Sequence, residues 1–179
     1  ASDRDVTNFM GMAQYENITF SGQGDYLKSA LYIAGANHGQ FNSLWGAYDK
    51  SAPFSALLNT ESLLDQEEQQ TIACLFIKTF LDVTLLGDDS CRTLLTDWDS
   101  YAAQLPDTVY MQCYQQSGTT ILADFEEDSN LETATAEGVT LQASGTRTWT
   151  EELIDFANDT SYDTHALRLK VNASGSQYT

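Results

Sequence analysis

The chain has 179 residues, 42% of them apolar, enough for one compact domain or two small ones with a buried core. Its 26 acidic residues against 8 basic ones leave a formal net charge of -18, a field that repels nucleic acid and anionic lipid, so neither is an expected partner. No run of about 18 apolar residues occurs, which argues against a membrane span.

The opening "ASDRDV" has neither a starting Met nor the basic and apolar stretches of a signal peptide, and is read as a cut made in a longer precursor. An acidic, lysine-poor surface suits an exported protein or one adapted to salt and does not choose between them; an extracellular or periplasmic location is the expectation. The sequons at Asn17, Asn158 and Asn172 are compatible with export. Residues 29 to 34, "SALYIA", form a short apolar run between glycines at 22, 24 and 35, which reads as a buried strand whose neighbour lies upstream of residue 1.

From 65 to 86 the apolar residues Ile72, Leu75, Phe76, Phe80, Val83 and Leu86 follow helical spacing and predict one inward face. Asp65 with Glu68 makes a capping box, and Gly87 stands where a C-terminal cap belongs. A second helix is predicted from about Ser90 to Gln104, ending before Pro106, with Leu94, Leu95, Trp98 and Tyr101 inward. Beyond Pro106, "TVYMQCYQQ", "TTILADFEE", "GVTLQA" and "HALRLKVN" read as strands separated by turn residues. The expected division is therefore 1–106 and a β-rich segment, 107–179, forming a small or partial β-sandwich, with the boundary near residues 106 to 120.

Cys74, Cys91 and Cys113 are sparse and lack the CxxC spacing of metal or redox sites. Cys74 reads as a core residue, while Cys91 and Cys113 sit in polar surroundings and would be free to pair in an exported protein.

The stretch "GANHGQFN" directly after the first strand resembles the end of an α/β-hydrolase-fold serine esterase or lipase of the dienelactone hydrolase, cutinase-like and platelet-activating-factor acetylhydrolase-like kind. In that family the last core strand is followed by a Gly-x-x-His or Gly-x-Asn-His turn, matched here by Gly35, Ala36, Asn37 and His38. The resemblance implies that residues 1 to 106 are the C-terminal part of an α/β-hydrolase fold and that His38 descends from a catalytic histidine. It also implies a catalytic acid after the preceding strand, for which "DRDV" offers Asp3, with Asp5 as the alternative. A crossover between parallel strands takes about 30 residues, which the interval from Asp3 to His38 accommodates.

The implied chemistry is ester cleavage through an acyl-enzyme, with a small-molecule ester as substrate and neither cofactor nor metal. The chain departs from the family in having no Gly-x-Ser-x-Gly elbow, so the nucleophile is expected on an upstream segment and the chain by itself is expected to be inactive. Phe41 and Trp45 would either line an acyl pocket or, as aromatics beside a strand end more often do, simply pack. His165 reads as a loop or strand-edge residue, Asp124 to Asp128 as a solvated acidic turn rather than a calcium site, and Ser117 as a turn residue. A reading of a different class is a secreted carbohydrate- or protein-binding β-sandwich module on a non-catalytic scaffold, which exposed aromatics within 108 to 170 would favour.

Overall fold

The computed structural model describes residues 10–44, 62–126, 130, 132–144, 146–154, 164–171 and 177–178. Asp3, Asp5, Trp45, Glu127, Asp128, Asn158 and Asn172 lie outside them. The chain divides between Ser117 and Gly118 into two compact units.

In the first unit, α1 (Met10–Asn17) precedes β1 (Leu27–Ile33) and a single 3-10 turn (Gly39–Phe41). Then come α2 (Gln66–Leu81), a π-helical turn (Asp82–Leu86), α3 (Thr93–Thr96), a 3-10 segment (Trp98–Gln104) and β2 (Tyr110–Gln116). β1 and β2 pair antiparallel over their whole length, from Leu27 opposite Gln116 to Ile33 opposite Tyr110. Among the described residues every sheet is antiparallel and two-stranded, so the expected parallel neighbour of β1 is not among them. "TVYMQCYQQ" belongs to this unit and not to the β-rich segment from 107 onward, because it supplies the strand that satisfies the backbone of β1.

The period of two sorts the side chains. Leu27, Leu31, Ile33, Tyr110 and Tyr114 face a core of Ile72, Phe76, Val83, Leu94, Leu95 and Leu105. On the other face Lys28 is buried, its Nζ donating to the Tyr15 and Ile18 carbonyls at 3.0 and 2.9 Å and standing 4.3 Å from the Tyr15 ring centroid. The ammonium thereby satisfies carbonyls at the end of α1 and ties that helix to β1.

Burial first, with the charges of Cys113 and Glu16 added, pushes the Tyr15 phenol up to about 12 from its ordinary 10.0. The folded state holds that proton more tightly than the unfolded chain, so the stabilisation is complete below about 10 and is lost as pH climbs from about 10 to about 12. Alkaline difference absorbance is expected to reveal a tyrosine titrating near 12 that disappears in Tyr15→Phe.

α2 starts at the capping box, with Asp65 N donating to Glu68 Oε2 at 3.2 Å. It runs on into the π turn, which ends at Gly87, whose φ of 68° is the left-handed cap conformation. The buried stripe runs through Gln69, Ile72, Phe76, Thr79 and Val83. Leu75 lies at its edge, 36% exposed, and Leu86 is 76% exposed because the π turn carries an extra residue and rotates the last side chains off the stripe. The second expected helix is broken: α3 stops at Asp97, whose φ and ψ of -154° and 84° are not helical, and the chain resumes as 3-10. By length and composition Gln66–Leu86 is a helix that would reach across a membrane, and 28% of its most apolar stretch is buried in the fold.

Cys74 is exposed rather than in the core, because it stands two residues past Ile72 and so on the far side of the helix. Cys91 is exposed and Cys113 half-buried, and neither is in a disulfide. Burial pushes the Cys113 thiol up, with Glu16 adding to the rise and Lys28 opposing it. Iodoacetamide at neutral pH is expected to label Cys74 and Cys91 readily and Cys113 at least about ten-fold more slowly, read by mass spectrometry of the tryptic peptides.

In the second unit β4 (Thr146–Ile154) and β5 (Thr164–Val171) form an antiparallel pair with a bulge between Thr146 and Thr148. Two-residue strands β3 (Ala143–Ser144) and β6 (Gln177–Tyr178) pair separately, and Thr133 bridges to Thr140. "TTILADFEE" forms no strand over its described residues. Asp124 N donates to Thr135 Oγ1, which donates back to Asp124 Oδ1, both at 2.9 Å, and Phe125 takes a φ of 64°. Asp124 Oδ1 also accepts from Glu126 N at 3.2 Å, a local bond that competes with ladder pairing and shapes a turn.

Candidate functional site

The loop after β1 is braced by backbone and side-chain hydrogen bonds. Ala34 is still held by the backbone, its N donating to Val109 O at 2.9 Å and its carbonyl accepting from Thr108 Oγ1 at 2.9 Å. Gly35 then turns the chain with a φ of 75°, and its carbonyl accepts from Leu64 N at 3.0 Å. Asn37 is 2% exposed, and its Oδ1 accepts from Gln40 N at 3.0 Å, closing the 3-10 turn from within. His38 is the cap residue of that turn, with φ and ψ of -64° and -46°, and is partly open to solvent.

α2 supplies the bracing. Gln69, fully buried, donates from Nε2 to Asn37 O at 2.8 Å and accepts at Oε1 from Asn37 N at 3.0 Å. Gln40 Nε2 reaches Leu64 O at 2.7 Å and Gln69 Oε1 at 3.3 Å. Gln70 Nε2 donates to Gln40 O at 3.1 Å, and Gln66 Nε2 to Asn42 O at 3.0 Å. Gln66, Gln69 and Gln70 are spaced i, i+3, i+4, which puts them on one face of the helix. That spacing within "DQEEQQ" is the available sequence signal for the brace. Gln69 also stands three residues before Ile72, where an apolar stripe would carry an apolar side chain.

Beside this loop, Phe41 and Ser43 share an open apolar groove of about 970 Å³ with Gln70, Ala73, Ile77 and Leu81 of α2. Phe41 is thus at a groove wall, 52% exposed. Both candidate acids for His38, Asp3 and Asp5, lie outside the described residues.

His165 stands on β5, opposite Leu153. Glu126 accepts from its backbone N at 2.7 Å and lies 3.1 Å from its ring Nδ1, while Glu151 is 4.0 Å from Nε2. The acidic run therefore holds the hairpin: Asp124 shapes the turn and Glu126 latches it to β5. Arg168 meets both oxygens of Glu152 at 2.7 and 2.8 Å on the neighbouring strand. No group of three or more metal-ligating side chains occurs among the described residues. Between 108 and 170, none of the described aromatics is among the exposed large apolar residues. No family profile, curated protein or solved structure matches this chain.

Proposed function

We propose that this chain is the histidine-bearing C-terminal portion of an α/β-hydrolase-fold serine esterase or lipase-like enzyme. It cleaves carboxylic esters through an acyl-enzyme and acts outside the cytosol. His38 is the general base, Asp3 holds its ring, with Asp5 as the alternative, and the serine comes from an upstream segment. One observation carries the reading: a partly open histidine directly follows a residue that is 2% exposed and held on both backbone groups by a buried glutamine. Bracing of that kind fixes the backbone from which the histidine projects, and a positioned base needs a fixed backbone.

In the first half of the reaction His38 takes the serine proton as the Oγ–acyl bond forms, and returns it to the alkoxide as the ester C–O bond breaks. Water then enters, His38 accepts its proton, and the proton goes back to serine Oγ as the acid leaves. The chemistry draws on no cofactor. The test is hydrolysis of p-nitrophenyl butyrate by the protein that contains this chain and by its His38→Ala variant. Turnover is expected to depend on His38, and the isolated chain to give none. Clear turnover by the isolated chain overturns the assignment of the serine to another segment.

A further inference from the structure

We infer that Gln69 is a positioning residue: its buried carboxamide, paired with both backbone groups of Asn37, fixes the peptide immediately before His38 and so sets where the imidazole stands. The inference rests on the reading of His38 as the general base, while the clamp is a matter of geometry. Two reciprocal hydrogen bonds on one residue, at 2.8 and 3.0 Å, fix both the place and the rotation of that backbone unit, whereas one bond leaves it free to pivot. The second donor on Gln69 Oε1, Gln40 Nε2 at 3.3 Å, ties the far side of the same turn to the same side chain.

The choice of residue carries a further meaning. Gln69 is fully buried on the same stripe as Ile72 and Phe76, where an apolar residue would pack without needing partners. Every bond in the clamp joins an amide to an amide, so none of them titrates. The loop therefore keeps one geometry whether His38 is neutral or protonated, which a residue that takes and returns a proton in each cycle needs.

Gln69→Glu and Gln69→Leu test this. In Gln69→Glu the new carboxyl, when protonated, accepts from Asn37 N and donates to Asn37 O, reproducing the native pattern. Once ionised, it accepts only and faces Asn37 O with like charge. Burial holds such a carboxyl protonated to higher pH than usual. The full chain is followed by amide hydrogen exchange at Asn37 and by the His38 ring resonances. In Gln69→Glu, the Asn37 amide is expected to match the wild type at pH 5 and to exchange at least about ten-fold faster than wild type at pH 8. In the hydrolase that contains the chain, kcat relative to wild type is expected to fall about 10- to 100-fold over the same range, with KM within about three-fold. Gln69→Leu is expected to lose both at every pH, and if it does not fold, Gln69→Glu at pH 5 and pH 8 decides. Native Asn37 protection in Gln69→Leu, or a flat ratio from pH 5 to 8 in Gln69→Glu while the carbon resonance of its carboxyl shows ionisation within that range, overturns the inference. Turnover unchanged in His38→Ala overturns the hydrolase reading itself, whereas turnover that needs His38 but not Gln69 overturns this inference alone.

Discussion

Replacing His38 with alanine is expected to lower ester turnover by about 100- to 10,000-fold, the range that a positioned general base contributes. The loss belongs in kcat, because alanine leaves the groove beside Phe41 and Ile77 in place and removes only the proposed base. His165→Ala is the control. That imidazole is engaged by Glu126 and stands 4.0 Å from Glu151 within the second unit, so turnover is expected within about two-fold of wild type despite a looser hairpin. The acid can be assigned the same way. Asparagine at the true partner leaves the imidazole in the wrong tautomer and costs up to about 10,000-fold, so Asp3→Asn and Asp5→Asn should differ widely. A His38→Ala enzyme with wild-type kcat would sink the proposed function.

α2 is legible in the sequence because its signals are local: a helical apolar stripe, Asp65 with Glu68 at one end and Gly87 at the other. The strand before His38 is legible for the same reason, within two residues at its start. Its partner is not, since nothing in "SALYIA" says which distant alternating segment completes its ladder, and Tyr110–Gln116 wins by matching its faces. Cys74 and Leu86 depart from their expected side of α2 for two different causes. Cys74 is off the buried stripe by helical geometry alone, whereas Leu86 is turned out by a π turn that no local pattern announces. "TTILADFEE" has strand-forming residues, yet Asp124 Oδ1 takes the Glu126 N–H two residues on and its own N–H goes to the Thr135 hydroxyl, so no strand forms over its described residues.

The candidate site shows the same division. His38 and its turn can be read from "GANHGQFN", but the glutamines that hold them lie on the next helix, and polar residues in "DQEEQQ" look like a solvated first turn until the loop is seen against them. Lys28 is hidden in a like manner: a lysine within a strand reads as solvent-facing, and only the Tyr15 and Ile18 carbonyls explain its burial.

Gly35→Ala is expected to destabilise the first unit by about 2 to 5 kcal/mol, and two separable costs make up that figure. The φ of 75° lies in the left-handed region, which costs a residue with a Cβ about 1 to 2 kcal/mol. A Cβ there would also stand 2.6 Å from Ser62 O and 3.2 Å from Leu64 N, both backbone atoms, so the loop or the approach to α2 must move. Overpacking of that kind costs about 1 to 3 kcal/mol more. Gly87→Ala separates the two, because its φ of 68° is similar and its Cβ would meet nothing within 4 Å. Urea unfolding should therefore rank Gly35→Ala below Gly87→Ala, and the Asn37 amide should lose protection in the first variant only. The displaced atoms are those that seat Gly35 against Leu64, two residues before Asn37, so turnover should fall along with stability. Equal losses in the two variants would mean that the turn carrying His38 has room to relax, and a loop with room to relax would not fix a general base.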